Sequence, residues 1–216
     1  MSEISTPVTS AHFRYLAERT VQEDSFLRDL KAAARAVEIP AIWISPEQGS
    51  LMQVLLRLCG AREVVEVGTL AGYSAIWMAR ALPAGGHVRT IEISDKHADF
   101  AKKWVAKSDV AARIKIHRGA GKDILPRFAR DSADAVFLDA DKVSIALYLE
   151  ESLRIVRRGG LIMVDNAFAF GKILNGDVAD PHVLAMRAFN DSMPKRAALQ
   201  GIIVPIGDGL WAAIKN

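Results

Sequence analysis

The alternation of short apolar runs with amphipathic stretches between residues 63 and 164 limits the possible folds of this chain more than any other feature. Apolar runs at 63–67, 87–91, 114–117, 135–138 and 161–164 are separated by stretches with helical spacing at 73–82, 96–107, 118 to about 128, and 144–156. Runs this short and largely apolar predict strands buried on both faces, and the intervening stretches predict helices. Such alternation builds a parallel sheet covered by helices on both sides, with ligands beyond the carboxyl ends of the strands.

The flanks follow a different rhythm. Residues 10–58 carry apolar side chains three and four apart (Phe13, Leu16 and Val21, then Phe26, Leu27, Leu30, Ala34 and Val37), with Pro40 and Pro46 as punctuation. Two helices and a third opening at Pro46 are expected there, with Ser45 as the cap of the third. After a helix at 181–193, residues 199–205 and 210–214 flank the turn Gly207-Asp208-Gly209, which reads as a hairpin. The parallel sheet should therefore close with an antiparallel strand. With 216 residues, 50% of them apolar, a single domain is expected, with residues 1–60 as a helical preface and 61–216 as the sheet.

A net charge of +3, scattered except for pairs such as Lys102-Lys103 and Arg157-Arg158, is a solvated surface and predicts no nucleic-acid partner. Cys59 is the only cysteine, so no disulfide framework forms within one chain, and its apolar neighbours predict burial. The N-terminal residues lack the basic-then-apolar layout of a signal peptide, and no apolar run approaches the roughly 20 residues of a membrane span. A soluble cytoplasmic protein without a membrane partner is expected.

Two constellations carry the chemistry. In the first, VVEVGTLAGYS (64–74), a strand runs into a turn with Gly68 and Gly72, and a helix follows. The glycines allow positive φ and close backbone approach, as a nucleotide-sized ligand needs. The spacing is not GxGxxG and no phosphate-binding lysine is present. Glu66 would repel a pyrophosphate and attract an ammonium, so a cationic ligand is favoured over a dinucleotide. Glu92, ending the next strand in VRTIEIS (88–94), stands where an acid binds ribose hydroxyls, and together these features favour an adenosine-bearing ligand.

In the second constellation, FLDADK (137–142) and LIMVDN (161–166) are apolar strands that run out into Asp139, Asp165 and Asn166, with Lys142 one turn on. Three hard oxygen donors beside an amine point to a divalent-cation site with its own base.

These residues, together with RGAGKDILP (118–126), resemble the class I S-adenosylmethionine (SAM)-dependent methyltransferases. More narrowly, they resemble the cation-dependent O-methyltransferases that include the catechol and caffeoyl-coenzyme A enzymes and many small bacterial relatives. The resemblance runs from about Ser45 to Leu210. It implies an α/β, Rossmann-like doubly wound sheet of seven strands, mostly parallel with an antiparallel last strand.

By this resemblance Glu66, Gly68, Tyr73 and Ser74 line the methionine part of SAM, and Glu92, with Ile93 beside it, holds the ribose. Ile42 and Ile44 pack along the cofactor, and Ala120, Gly121 and Lys122 fall where the adenine is contacted. Relatives often carry a polar pair at positions 121 and 122, so Gly121 departs from the pattern and offers only backbone there. Asp139 lies near the cofactor's amino group and joins Asp165 and Asn166 as a ligand of Mg²⁺, with Mn²⁺ or Ca²⁺ as substitutes on the same oxygens.

Lys142 is the implied base. The implied acceptor is a small aromatic vicinal diol, with Trp43, Lys142 and Phe168 as substrate contacts, and Trp211 could stand near the pocket mouth. Residues 167–180 are expected to cover the acceptor, and Arg187 and Asn190 face either the pocket or solvent. Asp141 has no assigned role beyond orienting Lys142 or holding a loop, and the five histidines have none. Relatives usually form dimers, so a homodimer is expected. The competing readings are an NAD(P)-dependent oxidoreductase on a similar sheet, disfavoured by the missing GxGxxG, a non-catalytic cofactor-binding module, and an RNA methyltransferase, which lacks a basic tract with interleaved aromatics.

Overall fold

The computed structural model describes residues 6–177 and 179–216, so the first five residues and position 178 of the expected acceptor loop lie outside the described residues. Its strands are β1 (Glu63–Val67), β2 (His87–Glu92), β3 (Ile114–Arg118), β4 (Ala133–Leu138), β5 (Val156–Val164), β6 (Leu199–Val204) and β7 (Leu210–Lys215). They form one sheet in the order β3-β2-β1-β4-β5-β7-β6. The first five pair in parallel, and β7 runs antiparallel to both β5 and β6. The chain winds outward from β1 to β3, then returns to lay β4 on the other side of β1. That reversal is the switch point of a Rossmann-like doubly wound sheet, where a crevice opens above the strand ends.

Both faces are covered, as the apolar runs require. Val64, Phe137 and Met163 pack against α2 (Ser25–Ala36), α3 (Pro46–Leu58) and α4 (Tyr73–Ala81) through Leu27, Leu30, Met52 and Ile76. Val65, Val136, Leu138 and Ile162 face the other way, against α7 (Ile145–Ile155) and α8 (Pro181–Ser192) through Leu149, Val183 and Met186. Alternate residues of one strand thus serve two cores, the period of two expected of a strand buried on both sides. The remaining helices are α1 (Ser10–Ala17), α5 (Asp95–Val105) and the short α6 (Gly121–Ile124).

The helix starts follow local chemistry. Ser45 accepts from the Gln48 amide at 3.2 Å with Pro46 in the first turn of α3, and Asp24 accepts from the Leu27 amide at 2.9 Å at α2. Ser94 caps α5 at the His97 amide, which starts that helix at Asp95.

One element departs from the sequence reading, since β5 begins at Val156 and not at 161. Ala133 of β4 pairs with Val156 and Ala135 with Leu161, so Arg157 to Gly160 are accommodated as a bulge. Gly159 has φ +70°, and Arg157 is held by the Asp134 carboxylate at 2.6 Å. Cys59 is half-buried rather than enclosed. Among the described residues no helix is long and apolar enough to cross a membrane.

Candidate active site

Strand register lines up the chemistry. Val67 pairs with Ile91 on one side and Leu138 on the other, and Leu138 pairs with Val164. The residues that follow, Glu92, Gly68, Asp139 and Asp165, therefore leave the sheet side by side. The ladder runs one step past the strands, as the amide of Gly68 donates to Ile91, that of Asp139 to Val67 and that of Asp165 to Leu138, all at 2.9–3.0 Å. Above this row lie a cavity of about 550 Å³ and a smaller chamber of about 250 Å³, which share Lys142, Asn166, Phe170 and His182.

The larger cavity is built on the glycine loop. Gly68 has φ +102°, and a side chain there would run into the carbonyl oxygen of Asp139. Only glycine satisfies both demands. Glu92 fixes the loop from the side, accepting from the amides of Leu70 at 2.8 Å, Thr69 at 3.2 Å and Ser94 at 2.8 Å. Glu66 is fully buried behind the wall, with Oε1 taking the Ser74 hydroxyl at 2.5 Å and Oε2 lacking a partner among the described residues. Burial raises its carboxyl to about 8, so it holds a proton at neutral pH until a cation approaches. An orphaned oxygen of this kind fits an incoming ammonium.

Ile42, Trp43, Ile44, Tyr73, Ser74 and Ile93 line the cavity, with Ile44 and Tyr73 buried and Ile42 and Ile93 exposed at its mouth. The Tyr73 hydroxyl donates to Glu23 at 2.8 Å, and Glu23 pairs with Lys31 at 2.7 Å. Burial and the Glu23 charge push that phenol up. Gly119 and Gly121 touch the cavity, whereas Ala120 between them does not. The departure at Gly121 has a steric reason, because a Cβ there would stand 2.8 Å from both Tyr148 and Val67. The Tyr148 ring, which lines the cavity, takes up space that a side chain at 121 would need.

At the junction of the two spaces, Asp139 lies on the wall and Lys142 Nζ stands 3.4 Å from its Oδ1. Asp165 is set just behind, with Oδ1 accepting from Gln48 Nε2 at 2.7 Å, and Asn166 adopts φ +63° and lines both spaces. Burial raises Asp139, and burial with the Asp139 charge lifts Asp165 to about 7. A partly buried and a buried carboxylate stand here with one ammonium, which contacts Asp139, and this leaves room for a further positive charge. The set of two carboxylates and an amide oxygen fits a hard divalent cation. Among the described residues no group of three or more His, Cys, Asp or Glu comes together for a metal, so the amide is needed to complete a third donor.

The smaller chamber has a buried floor of Ala169, Val183 and Met186. Phe170, 63% exposed, forms a wall of both spaces, while Phe168 turns away and packs its ring against Gly209. Ala169 and Phe170 both have positive φ, at 50° and 56°. The Asp208 carboxylate holds that strained turn by accepting from the amides of Phe170 at 2.6 Å and Gly171 at 3.2 Å. Neither Arg187 nor Asn190 lines either of the two spaces. Arg187 donates to the carbonyl of Ile173 at 2.9 Å, and Asn190 links the Ala167 carbonyl to Trp211 Nε1, so both brace the loop. Trp211 is buried, away from the mouth.

Of the two roles expected of Asp141, the structure shows the second: it caps the turn before α7 by accepting from the Ser144 amide at 2.9 Å and also takes the Tyr148 hydroxyl at 2.8 Å, so it holds a loop. Several other residues went unforeseen. Gln48, His97, Tyr148 and His182 have no role in the sequence reading. For His97 a usable signal existed, since it falls in the first turn after the Ser94 cap and thus near Glu92, whose Oε1 is 3.6 Å away.

The family model for O-methyltransferases matches residues 17–216. The catechol O-methyltransferase of Niastella koreensis is 37% identical over 193 residues, covering 88% of this chain and 87% of its own. The crystal structure of the O-methyltransferase from Bacillus cereus in complex with SAH is 31% identical and superposes with a TM-score of 0.87, over 95% of this chain and 97% of that one. That of TomG from Streptomyces achromogenes, an O-methyltransferase involved in tomaymycin synthesis and solved with SAM, is 33% identical with a TM-score of 0.85, over 94% and 95%. Sheet order, strand-end chemistry and near-complete coverage by these relatives agree, and the chain belongs to the O-methyltransferase family.

Proposed function

We propose that this chain transfers the methyl group of SAM to one oxygen of a small aromatic vicinal diol, with a divalent cation held by Asp139, Asp165 and Asn166. The observation that carries this reading is the row of strand ends, which sets Glu92 and the glycine loop over the larger cavity and Asp139, Lys142 and Asn166 where it meets the smaller chamber. SAM and SAH occupy the related structures from S. achromogenes and B. cereus, and a named catechol enzyme is among the relatives.

Each residue has a task. Glu92 accepts from the ribose hydroxyls, and Glu66, behind Ser74, answers the cofactor's ammonium. Mg²⁺ suits the oxygen set, with Mn²⁺ and Ca²⁺ as alternatives, and when bound it lowers the pKa of the acceptor's hydroxyls. Lys142, 5% exposed with its Nζ next to Asp139, is the base: in its neutral amine form it accepts the proton from the reacting hydroxyl. Phe170 and the apolar floor hold the ring and keep water from the reacting oxygen. The oxygen then attacks the methyl carbon in line as the carbon–sulfur bond breaks. Holding both substrates in this geometry supplies much of the rate, with effective molarities of about 10⁵ M or more for well-aligned pairs.

The test incubates the protein with SAM, Mg²⁺ and a panel of catechols, with a chelator control and Lys142→Ala. Methylation that stops in both is expected. Full activity in either would refute the mechanism. The chain is further proposed to work as a single domain and as a homodimer. Helix α1 buries no residue and leaves Tyr15 59% exposed, an apolar surface a second copy could cover, and light scattering decides the matter.

A further inference from the structure

We propose that the acceptor is anionic, carrying a carboxylate on the edge of the ring away from its reacting oxygens, and that Lys172 reads this charge. The inference rests on the function proposed above and adds the charge class of its second substrate. Lys142 and Asn166 belong to both spaces, whereas Lys172 belongs to the smaller chamber alone. A ring on the floor of Ala169, Val183 and Met186 with its reacting oxygens at the shared end leaves its other edge to the residues of the smaller chamber alone, where the charged side chains are Asp180 and the solvent-exposed Lys172. The chamber, about 250 Å³, lies just below the range of about 300–1,000 Å³ usual for ligand pockets, and suits one substituted ring.

The charge at that end is unbalanced. Lys172 forms no ion pair among the described residues. The one carboxylate on the same wall, Asp180, caps α8 by accepting from the His182 amide at 2.9 Å, where the positive end of the helix dipole already engages it.

Nor is Lys172 on a free tip. Its amide donates to the Ala169 carbonyl at 3.1 Å, and its own carbonyl accepts from the Asn175 amide at 3.0 Å and from Arg187 at 3.3 Å. The strained turn just before it, held by Asp208, fixes where the side chain begins. Strain retained this way commonly marks a site that uses it.

The test compares pairs of catechols that differ only in charge: protocatechuate with its amide, and caffeate with its amide for a longer reach. In the wild-type protein, kcat/KM is expected to favour the acid of at least one pair by roughly fivefold, as for a partly exposed ion pair, mainly through KM. Lys172→Met brings that ratio to about one, and Lys172→Glu takes it below one. A ratio near one for both pairs in the wild type, or one that stays the same in all three proteins, overturns the inference while O-methylation stands. Absence of transfer to all four compounds and to catechol itself overturns the proposed function, and this inference with it.

Discussion

Replacing Gly121 by alanine tests how the adenine end of the cavity is built. The added Cβ would stand 2.8 Å from Tyr148 Cε1 and 2.8 Å from Val67 Cγ1, where carbon contacts are comfortable only from about 3.5 Å. Val67 cannot yield, because its strand is paired on both sides. Tyr148 is 4% exposed, and its hydroxyl is bound to Asp141, whose second oxygen caps the turn before α7. Burial and the Asp141 charge push the Tyr148 phenol up to about 12. Burial works against Asp141's charge, yet the bonds from Ser144 and Tyr148 hold its carboxyl below the usual range.

Moving the ring thus gives up a charge-assisted hydrogen bond. Overpacking costs about 1–3 kcal/mol, and the better helix propensity of alanine returns at most ~1 kcal/mol. Gly121→Ala should destabilise the fold by about 1–2 kcal/mol. Tyr148→Leu is harmful alone, but it removes the obstacle, so the double variant should be at least ~1 kcal/mol more stable than the sum of the single effects predicts. Urea midpoints of the four proteins measure this. Additivity within about 0.5 kcal/mol, or a stabilising Gly121→Ala, would refute the argument.

Three further outcomes are expected. Gly68→Ala, with positive φ and a backbone carbonyl in the way, should lower stability by about 3 kcal/mol or more, read as a fall in the thermal midpoint. Gln48→Leu removes the hydrogen bond that orients Asp165, and a Mg²⁺ titration of activity should show a roughly 10–100-fold weaker apparent affinity. Because Glu66 is raised from 4.5 to about 8, binding of SAH at pH 7 should release up to about 0.9 proton, seen by calorimetry in buffers of different ionisation enthalpy and lost in Glu66→Gln. The same raised pKa sets the sign for the ligand-free fold: the contribution is complete below pH 4.5 and is lost as pH rises through about 8, so urea stability should decline across that window and less so in Glu66→Gln.

The strand ends were legible in the sequence because apolar runs that stop in Glu92, Gly68, Asp139 and Asp165 mark both the sheet and its ligand edge. What escaped depends on contacts between distant segments. Gln48 is one polar residue on an amphipathic helix, and only folding brings it to Asp165, 117 positions away. Choosing Phe170 rather than Phe168 for the wall requires knowing that Ala169 and Phe170 take left-handed conformations, which propensity rules do not anticipate for residues other than glycine. Asp141 is set apart from Asp139 in FLDADK, but which of its two expected roles it takes depends on Tyr148, seven positions on. The early start of β5 was hidden because the apolar run begins only at Leu161, while Arg157 to Gly160 before it shape a bulge.

Strand β7 lies between β5 and β6, so the two ends of the crevice differ in when they can be assembled. Strands β1 to β4 are neighbours in sequence and in space, and a chain emerging from the ribosome can pair them by residue 138. Strand β5, which delivers Asp165 and Asn166, keeps one edge bare until residues 210–215 arrive and close it. Joining pieces that far apart in the chain is a slow, late event. A chain halted before residue 210 would therefore possess the strands of the cofactor half while exposing β5 as a sticky edge, open to misassembly with other nascent chains.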